Sequence, residues 1–141
     1  MNTKTKGNKA ESVILAEFIK NNIPVSLPFG DNEKYDLVIE INGVFKSVQV
    51  KYGQFKNECV VSDLRYRIGK NRVAYSTYTD KVDLIAIWCE ALNECYLIPV
   101  ALFQDRKFCH LRVNPPKNNS CVSTVVWAKD YRFAEILGFL K

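Results

Sequence analysis

The sequence predicts one α/β domain over residues 1–141, with a mixed central β-sheet flanked by helices. Two observations lead to this prediction. Apolar residues recur at helical spacing near both ends of the chain, whereas alternating or continuous apolar runs of strand length fill its interior. The continuous runs at 82–90 and 94–103 are typical of central strands covered on both faces. A chain of 141 residues, 48% of them hydrophobic, is long enough to bury such a core.

The predicted elements begin with a helix at 8–21, which Pro24 ends. A short extended segment follows. Seven strands are then predicted, at 34–41, 44–53, 58–63, 82–90, 94–103, 107–113 and 120–128. Asp130 is expected to cap a last helix at 131–137, and Gly138 to end it.

Composition limits the possible environments and partners. No apolar run approaches the roughly 20 residues that cross a bilayer, and the basic N-terminal segment has the spacing of an amphipathic helix rather than of a signal peptide. Five cysteines without a CxxC pair, and a single histidine, predict reduced thiols in a cytoplasmic protein with neither a zinc site nor a membrane partner. The net charge of +5 and the pI near 8.9 favour a polyanionic partner.

A hairpin around the Asn-Gly pair at 42–43 carries the residues most informative about function. Such a pair between alternating strands predicts a two-residue type I′ turn. Asp36 then lies opposite Gln49 and shares a face of the sheet with Lys51. The apolar residues that mostly take the other, dry face are Leu37, Ile39, Ile41, Val48 and Val50. A three-residue loop would turn Gln49 and Lys51 away from Asp36, so the arrangement depends on the turn.

These three polar residues fit the hydrolysis of a phosphodiester. That reaction uses a divalent cation to activate water and neutralise charge in the transition state, and Mg²⁺ prefers hard oxygen ligands. Asp36 can supply a carboxylate and Gln49 an amide oxygen, while Lys51 can hold or deprotonate the attacking water or stabilise the developing oxyanion. Glu11, at helical spacing from the apolar residues of the first helix, can complete the metal shell directly or through water. The alternative is that the polar residues form only the solvent side of a hairpin.

The segment Tyr35-Asp36-Leu37-Val38, followed by Val48-Gln49-Val50-Lys51, resembles the PD-(D/E)XK nuclease superfamily, in which an acid on one strand precedes an acid-x-lysine on the next. The early helix acid and the stretches "PFGDNEKYDLVIE", "DLIAIW" and "CYLIPV" are similar to the branch of small endonucleases that includes an intron-encoded homing endonuclease. The final third of the chain carries little of this likeness. The resemblance implies a restriction-endonuclease-like core.

Residue by residue, the resemblance implies a catalytic and metal-binding site with Mg²⁺, or Mn²⁺, as cofactor. The implied metal ligands are Glu11, Asp36, Gln49 and the backbone carbonyl of Val50, and Lys51 matches the motif lysine. The chain departs from the pattern in two places. The pair Lys34-Tyr35 stands where the motif name has proline, a chemically inert position. Gln49 stands where most members have Asp or Glu, and a neutral ligand predicts weaker metal binding.

Two basic segments, 64–81 and 104–123, are expected to contact DNA. Lys and Arg neutralise phosphates, and Arg can also bind guanine edges. The candidate contacts are Arg65, Arg67, Lys70, Arg72, Tyr75, Lys107, His110 and Arg112. The alternative for the first segment is a solvated basic loop.

The resulting hypothesis is a metal-dependent, site-specific endonuclease that hydrolyses phosphodiester bonds in double-stranded DNA, of the homing endonuclease kind. A Holliday-junction resolvase and a catalytically silent DNA-binding module, which Gln49 would permit, are the alternatives. One site per chain predicts a homodimer or homotetramer, because cutting both strands needs two sites. The residues expected to form its association surface are Phe133, Ile136, Leu137, Phe139 and Leu140. The alternative is that this helix packs on its own sheet.

Overall fold

A computed structural model describes residues 1–69, 74–116 and 124–140. The elements are, in chain order, α1 (Thr3–Lys20), β1 (Val25–Ser26), β2 (Leu37–Ile41), β3 (Val44–Lys56), β4 (Cys59–Asp63), β5 (Arg65–Arg67), β6 (Tyr75–Thr77), β7 (Leu84–Cys89), β8 (Glu94–Pro99), β9 (Phe108–Arg112) and α2 (Phe133–Leu140). Short 3₁₀ helices lie at Glu90–Leu92, Val100–Phe103 and Ala128–Tyr131. No helix in these ranges is long and apolar enough to cross a membrane.

Helix α1 starts earlier than the sequence pattern predicts because of a cap. The side chain of Asn2 accepts a hydrogen bond from the backbone N–H of Thr5 at 2.8 Å, which satisfies one of the free donors at the helix start. Ala10, Ile14 and Phe18, spaced four residues apart, form the buried stripe that attaches the helix to the sheet.

Strand β3 organises a mixed sheet, as the sequence predicts. The sheet has seven strands, one of which, the short β1, lies in the segment predicted only as extended. The first residues of β3 pair antiparallel with β2, its middle pairs parallel with β7, and its last residues pair antiparallel with β4. Strand β8 pairs with β7, and β9 pairs with β4. Every residue of β7 is buried, which confirms that this strand is covered on both faces.

Two apolar cores lie on opposite faces of the sheet. The first lies under both helices, where the rings of Phe18 and Phe133 are 5.0 Å apart. The second lies under the β5–β6 hairpin and the later 3₁₀ helices. Gly53 is the point of closest packing in the second core, since a Cβ there would lie 2.7 Å from Ile87 Cγ2 and 2.8 Å from Val60 Cγ1.

The basic segment at 64–81, which lacks a clear period in sequence, contains the β5–β6 hairpin. Arg65 pairs with Thr77 and Arg67 with Tyr75. The hairpin packs on the sheet through Leu64 and Tyr78, which belong to the second core. A buried apolar contact on each side of the hairpin thus sets its position, which a periodicity analysis of the charged residues does not reveal.

The C-terminal part differs from the prediction. Within the described part of the predicted strand 120–128, Trp127 makes only an isolated bridge to Arg112 and a 3₁₀ helix follows. Extended backbone at Arg132 separates that helix from α2, so Asp130 does not cap α2. Gly138 lies inside α2 rather than ending it, because burial of the apolar face outweighs the low helix propensity of glycine.

The expected association surface on the last helix is also corrected. Phe133 and Leu137 are 4% and 3% exposed and pack in the first core, with Ile136 partly buried against it. The side chains at 139–140 lie outside the described residues. The alternative interpretation, a helix packed on its own sheet, therefore holds for these three residues.

Candidate active site

The turn that aligns β2 and β3 is the one predicted from the sequence. Asn42 and Gly43 have φ values of 53° and 78°, the left-handed conformation that a type I′ turn requires at both positions. Ile41 pairs with Val44 and Leu37 with Val48. Leu37, Ile39, Ile41, Val48 and Val50 consequently lie in the first core, on the face of the sheet that α1 covers.

Asp36 lies directly before β2 and is anchored to β3 by two hydrogen bonds. Its backbone N–H donates to the carbonyl of Val48 at 2.8 Å, and its Oδ2 accepts from the backbone N–H of Val50, also at 2.8 Å. These bonds fix the orientation of the carboxylate.

Glu11, on the exposed side of α1, lies beside Asp36, and the two residues line the same cavity. The helix is held in place by contacts of Lys9, two residues before Glu11. Lys9 Nζ lies 2.8 Å from Glu90 Oε2, and the hydroxyl of Tyr52 donates to Glu90 Oε1 at 2.9 Å. An ion pair and a hydrogen bond thus connect α1 with β3 and the end of β7, and set the position of Glu11.

Burial places both carboxyl groups in an environment that disfavours their ionised forms. Burial raises the pKa of Glu11, and the charge and hydrogen bond of Asp36 raise it further. Burial also raises the pKa of Asp36, although the Val50 N–H, Glu11 and Lys51 oppose the rise. A cation placed between two such groups would favour their ionised forms.

Lys51 occupies a partly buried position on β3. Burial lowers the pKa of its ammonium group, against the opposing effects of Asp63, Asp36 and Cys109. Its Nζ lies 3.4 Å from the hydroxyl oxygen of Tyr78. Lys51 also lines a groove of about 480 Å³, so the ammonium group lies where a phosphate could approach.

Gln49 lies beside the backbone carbonyl that the sequence motif implicates. Its Nε2 donates to the carbonyl of Val50 at 3.4 Å. The amide of Gln49 and the carbonyl of Val50 therefore lie next to each other, on the same strand as Lys51 and adjacent to the N–H that holds Asp36.

The sequence and fold both match known nucleases. Residues 1–134 match the family described as PD-(D/E)XK endonuclease. The chain belongs to this family. Among solved structures it is similar to a bacterial homing endonuclease, I-Ssp6803I, with 28% sequence identity and a TM-score of 0.76, over 97% of this chain and 93% of that chain. No curated protein sequence matches the chain significantly.

The donor set of this PD-(D/E)XK chain fits a hard divalent cation. Within residues 1–69, 74–116 and 124–140, no group of three or more His, Cys, Asp and Glu residues is placed to hold a metal ion. The site instead offers two neighbouring carboxyl groups, from Glu11 and Asp36, next to the oxygen-bearing amide of Gln49 and carbonyl of Val50. Oxygen donors with few carboxylates are the environment that Mg²⁺ prefers.

The residues expected to contact DNA are not all equally free to do so. Arg65 donates to both carboxylate oxygens of Asp63, at 2.9 and 2.8 Å, and its guanidinium lies 4.6 Å from the Phe108 ring centre. Lys107 lies 5.2 Å above the ring centre of Tyr75. The exposed side chains among the candidates are Arg67, Tyr75, Lys107 and His110.

The other candidates lie at the far end of the sheet or outside the described residues. Arg112 is partly exposed and lines a cavity of about 280 Å³ together with His110 and Arg106. Lys70 and Arg72 lie outside the described residues, as do 117–123 of the second basic segment.

Sequence reasoning missed three features of the site. Tyr78 falls within the basic segment 64–81, yet it is buried and its hydroxyl group contacts Lys51. Asp63 opposes the effect of burial on the pKa of Lys51. Leu27 lines a cavity of about 310 Å³ with Glu11 and Asp36, and Phe29, two residues later, is fully exposed. Of these three features, the sequence signals only the last, through the apolar residues Leu27 and Phe29 in "LPFG".

Proposed function

We propose that this PD-(D/E)XK chain is a divalent-metal-dependent, site-specific endonuclease that hydrolyses phosphodiester bonds in double-stranded DNA. The observation that carries the proposal is the placement of Glu11 and Asp36 on one cavity, with the partly buried Lys51 close enough for its charge to interact with that of Asp36. The similarity to a bacterial homing endonuclease favours a site-specific enzyme of that kind. Residues 1–141 form one nuclease domain in this proposal.

Glu11, Asp36, the carbonyl of Val50 and the amide of Gln49 would hold Mg²⁺ or Mn²⁺. When bound, the cation supplies a Lewis acid that lowers the pKa of water and neutralises charge on the phosphate. Asp36 is oriented for this role by the N–H of Val50. The neutral Gln49 leaves the site less negative than a third carboxylate would.

Lys51 acts at the phosphate itself in this proposal. Its ammonium group can donate hydrogen bonds to a phosphate oxygen as negative charge develops there. Because burial lowers its pKa, the group can also give up a proton more easily than a surface lysine, and so can accept one from the attacking water.

The surface beside the site suits a DNA duplex. The groove that contains Lys51 continues past Lys6 and Gln54 to Phe108 on β9. Exposed Arg67 and Lys107 lie on the elements at that end and carry charge complementary to phosphates. The net charge of +5 supports the same partner.

The substrate indicates the assembly, and the cysteines indicate the cellular location. One chain carries one site, so cutting both strands requires a homodimer or homotetramer with two-fold symmetry. The free thiols of Cys59, Cys89, Cys95 and Cys109 support a reducing cytoplasm.

Incubation with a library of supercoiled plasmids that carry random inserts, in Mg²⁺ and with EDTA as the control, tests the proposal. We expect linear products with Mg²⁺, no cutting with EDTA, and no cutting by Asp36→Asn. Sequencing the ends maps the site, which is then rebuilt as a short duplex. DNA binding without any cutting in Mg²⁺ or Mn²⁺ would support the silent DNA-binding module instead. Cutting of four-way junctions but not of the mapped duplex would support the resolvase.

A further inference from the structure

Lys51 is held by an aromatic side chain that lies outside the catalytic motif. Its Nζ lies 3.4 Å from the hydroxyl oxygen of Tyr78 and 4.7 Å from the centre of the Tyr78 ring. Tyr78 therefore offers the ammonium group both a hydroxyl oxygen that can accept a hydrogen bond and the face of an aromatic ring. A lysine side chain has a flexible four-carbon stem, so these two contacts restrict where the ammonium can lie.

Tyr78 is itself fixed by its surroundings. It is 7% exposed and belongs to the second core. Its ring centre lies 5.1 Å from that of Tyr66, with the planes inclined by 55°, and Lys34 Nζ lies 4.3 Å from the centre of the Tyr66 ring. Burial raises the pKa of Tyr78 to about 12, so its hydroxyl group stays neutral and can accept a hydrogen bond from an ammonium group.

We propose that Tyr78 is the positioning residue for Lys51, and that Tyr66 braces the Tyr78 ring. This inference rests on the proposed function, because Lys51 is the lysine that would act on the phosphate. Tyr78 acts through Lys51 and does not touch the substrate. A displacement of Lys51 by as little as about 1 Å is enough to slow the chemical step by roughly 100-fold, so the brace matters for rate rather than for DNA affinity.

The first test needs neither DNA nor metal. NMR spectra of isotopically labelled protein report the ε-methylene protons of Lys51, which an adjacent aromatic ring shifts upfield. We expect Tyr78→Phe to keep this shift, Tyr78→Leu to abolish it, and Tyr66→Leu to reduce it. If Tyr78→Leu does not fold, Tyr66→Leu provides the test, since Tyr66 is only partly buried.

Phe103→Leu is the matched control for these spectra. Phe103 is 5% exposed in the same core but lines the cavity beside His110. Its replacement removes a buried ring and should leave the Lys51 signal unchanged. A Lys51 signal that is identical in the wild type, Tyr78→Leu and Tyr66→Leu would overturn the proposal.

Single-turnover cleavage of the mapped duplex tests the consequence. Tyr78→Leu should cut roughly 10–100 times more slowly than the wild type, while its Kd for DNA in Ca²⁺ stays within about threefold. Tyr78→Phe, which keeps the ring but loses the hydroxyl acceptor, should cut at a rate between those of the wild type and Tyr78→Leu. In a Lys51→Ala background, Tyr78→Leu should cause no further loss, because the two residues act as one unit.

The two sets of results separate the proposals. A Tyr78→Leu protein that cuts as fast as the wild type would contradict a positioning role even if the spectra change. A wild-type protein that cuts no DNA would count against the proposed function, and the spectra alone would then decide whether Tyr78 positions Lys51.

Discussion

The carboxyl groups of Glu11 and Asp36 lie beside each other at one cavity, and burial raises the pKa of both. A carboxyl group whose pKa is higher in the folded than in the unfolded protein favours folding only while it is protonated. Its contribution is complete below the unfolded pKa, about 4, and is lost as the pH rises through the folded pKa. At neutral pH without metal, the ionised pair therefore destabilises the fold. The same two carboxyl groups form the proposed cation site.

We expect Asp36→Asn to raise the melting temperature by a few degrees in EDTA at pH 7.5. The amide removes the repulsion of the pair and can still accept the hydrogen bond from Val50. The difference should shrink as the pH falls towards 4, where both carboxyl groups become neutral. Mg²⁺ or Mn²⁺ should stabilise the wild type through binding to the folded state, but not the variant.

Asp31→Asn is the control for this comparison, because Asp31 is exposed. It should change neither the melting temperature nor the response to metal. Differential scanning calorimetry in EDTA and in metal measures all three proteins. A melting temperature for Asp36→Asn at or below that of the wild type in EDTA would show that the carboxyl pair is not under strain.

At the scale of elements, strand β3 holds the structure together because it pairs with three other strands. Gly53 lies where β3 passes closest to the side chains of Ile87 and Val60. We expect Gly53→Ala to lower the free energy of unfolding by about 1–3 kcal/mol, the usual range for overpacking. Gly7→Ala is the matched control, since nothing lies within 4 Å of its added Cβ and alanine favours a helix.

Urea denaturation measures both glycine variants. Gly7→Ala should be as stable as the wild type or slightly more stable. Equal stability of Gly53→Ala and the wild type would mean that the second core can expand without cost around β3.

The two arginines of the β5–β6 hairpin have different contacts, which predict different roles in DNA binding. Arg67 is exposed, whereas the guanidinium of Arg65 is bound to Asp63. Arg67→Ala should weaken DNA binding in Ca²⁺ and reduce the slope of log K against log salt by about 0.9, the value for one phosphate contact. Arg65→Ala should change the slope less. An unchanged slope for Arg67→Ala would make this hairpin a solvated surface.

The β2–β3 hairpin shows which parts of the site a sequence can predict. An Asn-Gly turn fixes the register locally, so the faces of β2 and β3, including Lys51, follow from the turn. The contact between Lys51 and Tyr78 joins residues 27 positions apart, and no local pattern indicates it. The prediction for the end of the chain is wrong for a related reason. Burial of Phe133 and Leu137 overrides the helix-start signal of Asp130 and the helix-end signal of Gly138.

At the scale of the whole molecule, one site per chain has to serve two DNA strands. We expect a dimer or tetramer by light scattering, and a roughly palindromic target, because two-fold symmetry presents the same site to both strands. The surface that mediates association lies elsewhere than on Phe133 and Leu137, which are buried. A 16.2 kDa monomer, both alone and on DNA at micromolar concentration, would contradict this expectation and indicate a nickase.

The central claim is that the protein cleaves DNA in a metal-dependent reaction in which Lys51, next to the Glu11–Asp36 pair, acts on the phosphate. Single-turnover cleavage of the mapped duplex in Mg²⁺ by Lys51→Met tests it most directly, with Lys56→Met as the control because Lys56 is an exposed lysine on the same strand. Lys51→Met should lose cleavage while its DNA affinity in Ca²⁺ stays within about tenfold, and Lys56→Met should cut at close to the wild-type rate. Cleavage by Lys51→Met at the wild-type rate would contradict the claim.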